Sequence, residues 1–152
     1  GHCISIDPYY LMHKSEVSGY VPNIMRSARK INDEMGNWAV ENFIKYSKKN
    51  SINLNKTKIT IMGYSFKENC SDTRNTKVHD IASSLRDAGF KIMIWDPYLN
   101  NETVKILKKD NILSSQIRPD NIELAFICVY HKEVLRFLDT YKGPVYDFRK
   151  LN

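Results

Sequence analysis

Hydrophobic positions recur along this chain with two different periods, and the change of period divides it. Between residues 21 and 48, Ile24, Ala28, Ile31, Met35 and Trp38 recur at steps of four and three, and Ala39, Phe43 and Tyr46 continue on a neighbouring stripe. That spacing predicts an amphipathic helix of about 25 residues, with Pro22 in its first turn. At 1.5 Å per residue it would run for about 38 Å, more than a small domain needs. Such a helix is expected to join two domains or to line a subunit interface, with packing inside one chain as the alternative. Residues 1–19 read as loop or short helix, with Pro8 either ending what precedes it or opening a helix. The polar run from Asn50 to Thr57 marks a boundary.

From Lys58 onward, short apolar runs alternate with helical ones. Lys58 to Tyr64 predicts a buried strand. Val78, Ile81, Ala82 and Leu85 share one face of a helix over 76–88, with Asn75 or Thr76 to cap its start and Gly89 to close it. Lys91 to Asp96 is a second strand, ended by Asp96-Pro97, and Asn100 to Lys109 is a short helix. The apolar run within Glu123 to Tyr130 predicts a strand buried on both faces. His131 to Asp139 is helical, Pro144 to Asp147 is a last strand, and residues 110–120 can add another. Strands alternating with helices define an α/β fold with a Rossmann-like parallel sheet covered on both sides.

Composition narrows the function classes. A chain of 152 residues suits one compact domain, or a small one with an appended element, and 42% hydrophobic residues exclude disorder. A formal charge of +6 suits an anionic ligand. The basic residues are spread out, with short clusters at Lys48-Lys49 and Lys108-Lys109 and no basic arm, so nucleic acid is not expected as a partner. Three cysteines without C-x-x-C spacing argue against both a disulfide framework and a zinc site, and the chain reads as reduced and cytoplasmic. No run approaches the ~18 apolar residues of a membrane span.

Two stretches could carry chemistry. Gly63 to Asn75 lies between a strand and a helix, where α/β sheets place their ligands, and it carries Lys67 and Arg74. It lacks G-x-G-x-x-G, so cationic side chains would have to hold a phosphate; solvated loop charge is the plainer reading. Cys3 is followed four residues later by Asp7. A thiolate can trap a carbonyl carbon and later leave from a thioester, and a nearby carboxylate can activate the cleaving water. A lone cysteine is otherwise packing, and His2 is assigned no role. Asp96 reads as a turn residue before a ribose-binding acid. Cys70 is structural or exposed, Cys128 is core, His79 and His131 are exposed, and Trp38 and Trp95 are packing anchors.

Gly-His-Cys-Ile-Ser-Ile-Asp-Pro-Tyr-Tyr-Leu, from residue 1, resembles the catalytic-cysteine motif of the UDP-glucose/GDP-mannose dehydrogenase family, in the spelling of its UDP-N-acetylhexosamine branch. Gly63-Tyr-Ser-Phe-Lys-Glu-Asn-Cys-Ser-Asp-Thr-Arg-Asn75 resembles the family's G-x-[ST]-F-K-E-N-x-x-D-x-R-N signature. Trp95-Asp96-Pro97, Tyr130-His131-Lys132-Glu133 and Tyr146-Asp147-Phe148-Arg149 follow in the expected order.

The resemblance implies oxidation of the C6 alcohol of a UDP-sugar to a carboxylate with two NAD in succession, serving polysaccharide biosynthesis. Cys3 would be the nucleophile, and Asp7 would assist the water and alcohol steps. Phe66, Lys67 and Arg149 would meet the substrate, and Arg74 would reach the NAD of a neighbouring subunit. Residues 1–50 would end a central helical domain whose long helix supports a homodimer, and residues 58–152 would be the UDP-binding domain. The N-terminal NAD-binding domain does not occur in these residues, so the chain is expected to be a C-terminal fragment, inactive alone. A non-catalytic nucleotide-sugar binding or dimerisation module is the rival reading.

Overall fold

The computed structural model describes residues 2–150. Two helices come first, α1 (Cys3–Val17) and α2 (Asn23–Lys49). Strand β1 (Ile59–Met62), helix α3 (Val78–Asp87), β2 (Ile92–Trp95), α4 (Asn101–Lys109) and β3 (Leu113–Ser115) follow. The chain then crosses back to β4 (Leu124–Ile127), α5 (Lys132–Leu138) and β5 (Val145–Asp147). All four strand pairings are parallel and the order is β3-β2-β1-β4-β5, an α/β Rossmann-like sheet. The chain winds outward from β1 in one direction and then in the other, so β1 and β4 flank a topological switch point.

Side chains alternate across the sheet as the pleat requires. Ile59, Ile61, Ile94, Leu124 and Phe126 face one way, against Phe43 of α2, Ile81 and Leu85 of α3, and Leu107 of α4. Met62, Trp95 and Ala125 face the other way, against Val134 of α5. Burying a Phe or Ile side chain contributes roughly 1.5–3 kcal/mol, so these fully buried strand residues and the helix residues packed on them form the main stabilising core. Helix α3 ends as its sequence predicts: Gly89 has φ +83°, and Phe90 N–H donates to the Leu85 carbonyl.

The residues before β1 depart from their expected form in one respect. Residues 3–17 are a continuous α-helix of 15 residues rather than loop or short helix, with Pro8 inside it. A proline there removes one backbone donor and normally costs about 3 kcal/mol, so tertiary contacts must offset it. Tyr9 supplies them, lying beneath Arg29 at 5.1 Å and donating its hydroxyl to Asp33, while Glu16 pairs with Arg26 at 2.7 Å.

The 27 residues of α2 have two unlike halves. Ala39, Val40 and Phe43 are buried, with Phe43 stacked on Phe126 at 4.9 Å and Tyr46 donating to the Val145 carbonyl. The first half shows Ile24 and Ile31 to solvent at 88% and 64% exposure. Trp95 is buried as an anchor, whereas Trp38 sits at the rim.

Candidate functional site

The loop after β1 can turn over β4 because residue 63 is glycine. Its φ is +83°, and a Cβ there would stand 2.5 Å from Cβ and 2.6 Å from the carbonyl oxygen of Val129. Only a residue without a side chain permits that approach. Beyond it, Phe66 N–H donates to the Asp72 carbonyl at 2.7 Å, closing residues 66–72 into a compact lobe.

A groove of about 430 Å³ opens beside this lobe, outside the carboxyl ends of β1 and β4. Phe66, Lys67 and Glu68 form one wall, Cys128 and Val129 the floor, and Phe148 and Arg149 the other wall. Phe66, Lys67 and Arg149, which the family resemblance groups as substrate residues, thus line one space. Arg149 spans it, its guanidinium 2.6 Å from Glu68 and 4.6 Å from the centre of the Tyr130 ring. Tyr130 donates to Asp147, and burial with that neighbouring carboxylate pushes its phenol up to about 12. Burial pushes the Cys128 thiol up to about 12 as well, so this floor cysteine is an inert, apolar surface.

Arg74 stands apart from the groove. Its guanidinium forks onto Asp72 through Nε at 3.0 Å and NH2 at 2.7 Å, and those bonds hold the Asp72 carboxyl well below the usual range. The side chain is 78% exposed.

The cysteine motif meets the loop through His2. Its ring stacks on Phe66 at 4.2 Å and 23°, and its Nε2 lies 3.2 Å from the Arg74 carbonyl oxygen. Cys3, the next residue, is exposed in the first turn of α1. Asp7 follows on the same helical face, also exposed, because positions four apart share a face. His2 therefore has a structural contact that its sequence neighbours did not reveal.

Two further residues run against their sequence reading. His131, expected to be exposed, is fully buried, and Asp96 is more than a turn residue. Asp96 Oδ1 accepts from Tyr98 N–H, which makes the expected turn. Its Oδ2 accepts from Tyr64 N–H, Ser65 N–H, Ser65 Oγ and His131 Nε2, between 2.7 and 3.0 Å. Burial pushes this carboxyl up, but the donors outweigh it and hold the pKa at about 2. His131 follows an apolar strand directly, and the loop folding over it makes it interior. Among the described residues no group of three or more His, Cys, Asp or Glu comes together as metal ligands would. No helix among them is long and apolar enough to cross a membrane.

An all-parallel sheet with a cationic groove at its switch point defines a nucleotide-type binding domain. The chain belongs to the UDP-glucose/GDP-mannose dehydrogenase family, whose UDP binding domain matches residues 60–151. It is similar to UDP-N-acetyl-D-glucosamine 6-dehydrogenase of Salmonella typhi, 38% identical over 88% of this chain and 31% of that protein. The enzyme of the same description from Pseudomonas aeruginosa is 42% identical over 67% of this chain and 24% of its own length. The chain thus spans a third or less of these relatives. The solved UDP-glucose dehydrogenase of Pyrobaculum islandicum shares the fold over 100% of this chain and 34% of its own, with a TM-score of 0.77 and 20% identity.

Proposed function

We propose that residues 58–152 hold the UDP part of a UDP-sugar, and that the whole protein is an NAD-dependent nucleotide-sugar 6-dehydrogenase. The groove shared by Phe66, Lys67 and Arg149 carries this reading. A pyrophosphate needs charge-assisted donors, which Lys67 and Arg149 provide from opposite walls, and Phe66 offers a flat apolar surface to a ring. N-acetylated hexosamines are the favoured sugars, because both relatives compared above are described as UDP-N-acetyl-D-glucosamine 6-dehydrogenases.

In the proposed reaction the C6 alcohol loses a hydride and a proton to give an aldehyde. Cys3 adds to the carbonyl carbon as a thiolate, forming a thiohemiacetal. Loss of a second hydride gives a thioester. Water, assisted by Asp7, then adds to the acyl carbon, the sulfur leaves, and a carboxylate is released. Two NAD molecules, bound in succession, would each accept one of the hydrides. The exposed guanidinium of Arg74 suits the phosphates of NAD, while the described residues contribute no glycine-rich cradle for it. That cradle is assigned to an N-terminal domain, so this piece alone is expected to be inactive.

Residues 1–50 are assigned to the central domain, with dimerisation through α2, whose first half carries exposed Ile24 and Ile31. A reducing, cytoplasmic setting and a role in polysaccharide biosynthesis complete the proposal.

Calorimetric titration of this chain with UDP tests the binding half. Saturable binding that weakens by about tenfold in K67A, as loss of one charge-assisted bond predicts, supports it. Binding by both K67A and R149A as tight as that of the wild type would remove it. The catalytic half is tested in the longer protein: two NADH per UDP-sugar, with turnover collapsing in C3S.

A further inference from the structure

Phe66, Lys67 and Glu68 are a three-residue bridge between two fixed points, and both points belong to one buried pair. On the upstream side Asp96 Oδ2 takes the N–H groups of Tyr64 and Ser65 at 2.7 and 2.8 Å, and the Ser65 hydroxyl at 2.8 Å. On the downstream side His131 Nδ1 accepts from Asn69 N–H at 2.9 Å. The pair is closed by the 3.0 Å contact of His131 Nε2 with the same Asp96 oxygen, and both side chains are fully buried. Asn69 adds a second tie, accepting at Oδ1 from Lys132 N–H at 2.9 Å, and it adopts φ +54° to do so.

These contacts also fix the state of the imidazole. Nδ1 accepts from Asn69, so the ring carries its proton on Nε2 and donates it to Asp96. A neutral imidazole can serve both ends at once, whereas a proton on Nδ1 would meet the Asn69 N–H head-on.

We infer that His131, braced by Asp96, is a positioning residue for nucleotide binding, pinning both ends of the Phe66–Glu68 bridge so that Phe66 and Lys67 face the groove before ligand arrives. This deepens the proposed function and rests on its reading of the groove as the UDP site. The physical gain is preorganisation. A bridge anchored at both ends gives up less conformational freedom on binding than a loop that must be ordered by its ligand. Neither His131 nor Asp96 lines the groove, so the effect travels through the backbone of Ser65 and Asn69.

Two substitutions separate the two ends of the ring. Asn at 131 can place its amide oxygen where Nδ1 stands and keep the Asn69 bond, but it cannot reach Asp96. Gln can reach Asp96 with its amide nitrogen and loses the acceptor for Asn69. UDP titration, thermal unfolding and amide exchange at residues 66–72 are measured on the wild-type chain, H131N and H131Q. The expected order is crossed. H131Q is the more stable variant yet binds UDP about tenfold more weakly than wild type, with faster exchange at Asn69, whereas H131N is less stable but binds within about threefold. Affinity that falls in step with stability, with H131N the weaker binder, would overturn the inference, as would H131Q binding like wild type. A wild-type chain that takes up no UDP would instead remove the UDP reading, and this role with it.

Discussion

The sheet and the helices before it are built on opposite terms. In the sheet Ile59, Ile61, Ile94, Leu124 and Phe126 show no surface at all, whereas Ile4, Ile24 and Ile31 in α1 and α2 are 64–88% exposed, Ile4 at 72%. The sheet satisfies its own core and presents a groove. The leading helices hold to it through the second half of α2 and a few polar ties, and they carry an apolar face and an exposed thiol outward. A region that closes on itself can specify a binding site alone, while one that leaves apolar surface open is shaped to be completed by something else.

The contrast can be broken most sharply by truncation. F126A removes a ring stacked on Phe43 and packed edge-on against Tyr146, and is expected to cost about 3–5 kcal/mol in urea unfolding. I24A in dilute solution should stay within about 0.5 kcal/mol. Equal losses would show that the helical arm is as integral as the sheet.

Asp96 comes next. D96N weakens an acceptor of four Oδ2 bonds, and is expected to cost about 3 kcal/mol at neutral pH. The folded carboxyl sits at about 2 against an ordinary 3.8, so its contribution is complete above pH 3.8 and fades as pH falls through 2. Wild-type stability should therefore drop by about 2 kcal/mol more than that of D96N across this window. Parallel acid curves would deny the carboxylate its role.

The thiols sharpen the same comparison. Cys128, pushed to about 12, is ionised to about one part in ten thousand at pH 8, so Cys3 should alkylate more than about a hundredfold faster. Comparable rates, read by mass spectrometry of the modified peptides, would contradict the buried floor of the groove. The smallest effect belongs to R74A, whose ion pair with Asp72 is exposed; unfolding should shift by less than about 0.5 kcal/mol.

What the sequence made legible follows the same division. The strands were readable because Leu124, Phe126 and their neighbours need burial wherever they lie, and the parallel order followed from alternation. Helix α1 was under-read because its continuity through Pro8 depends on Tyr9, Arg29 and Asp33, which meet only in three dimensions. Lys67 was legible as a charge on a loop and Arg149 only through the family resemblance, and their shared groove depends on Gly63 passing close to Val129. His131 was misplaced because burial of a residue just past a strand is decided by a loop 62 residues away in the chain.

The stack of His2 on Phe66 has a use of its own. Two rings 4.2 Å apart and nearly parallel shift each other's proton resonances, so the carbon-bound protons of the His2 imidazole form a built-in NMR probe. Any ligand that contacts Phe66 in the groove will move those signals. The residue beside the thiol thus reports the state of the loop after β1 without any added label.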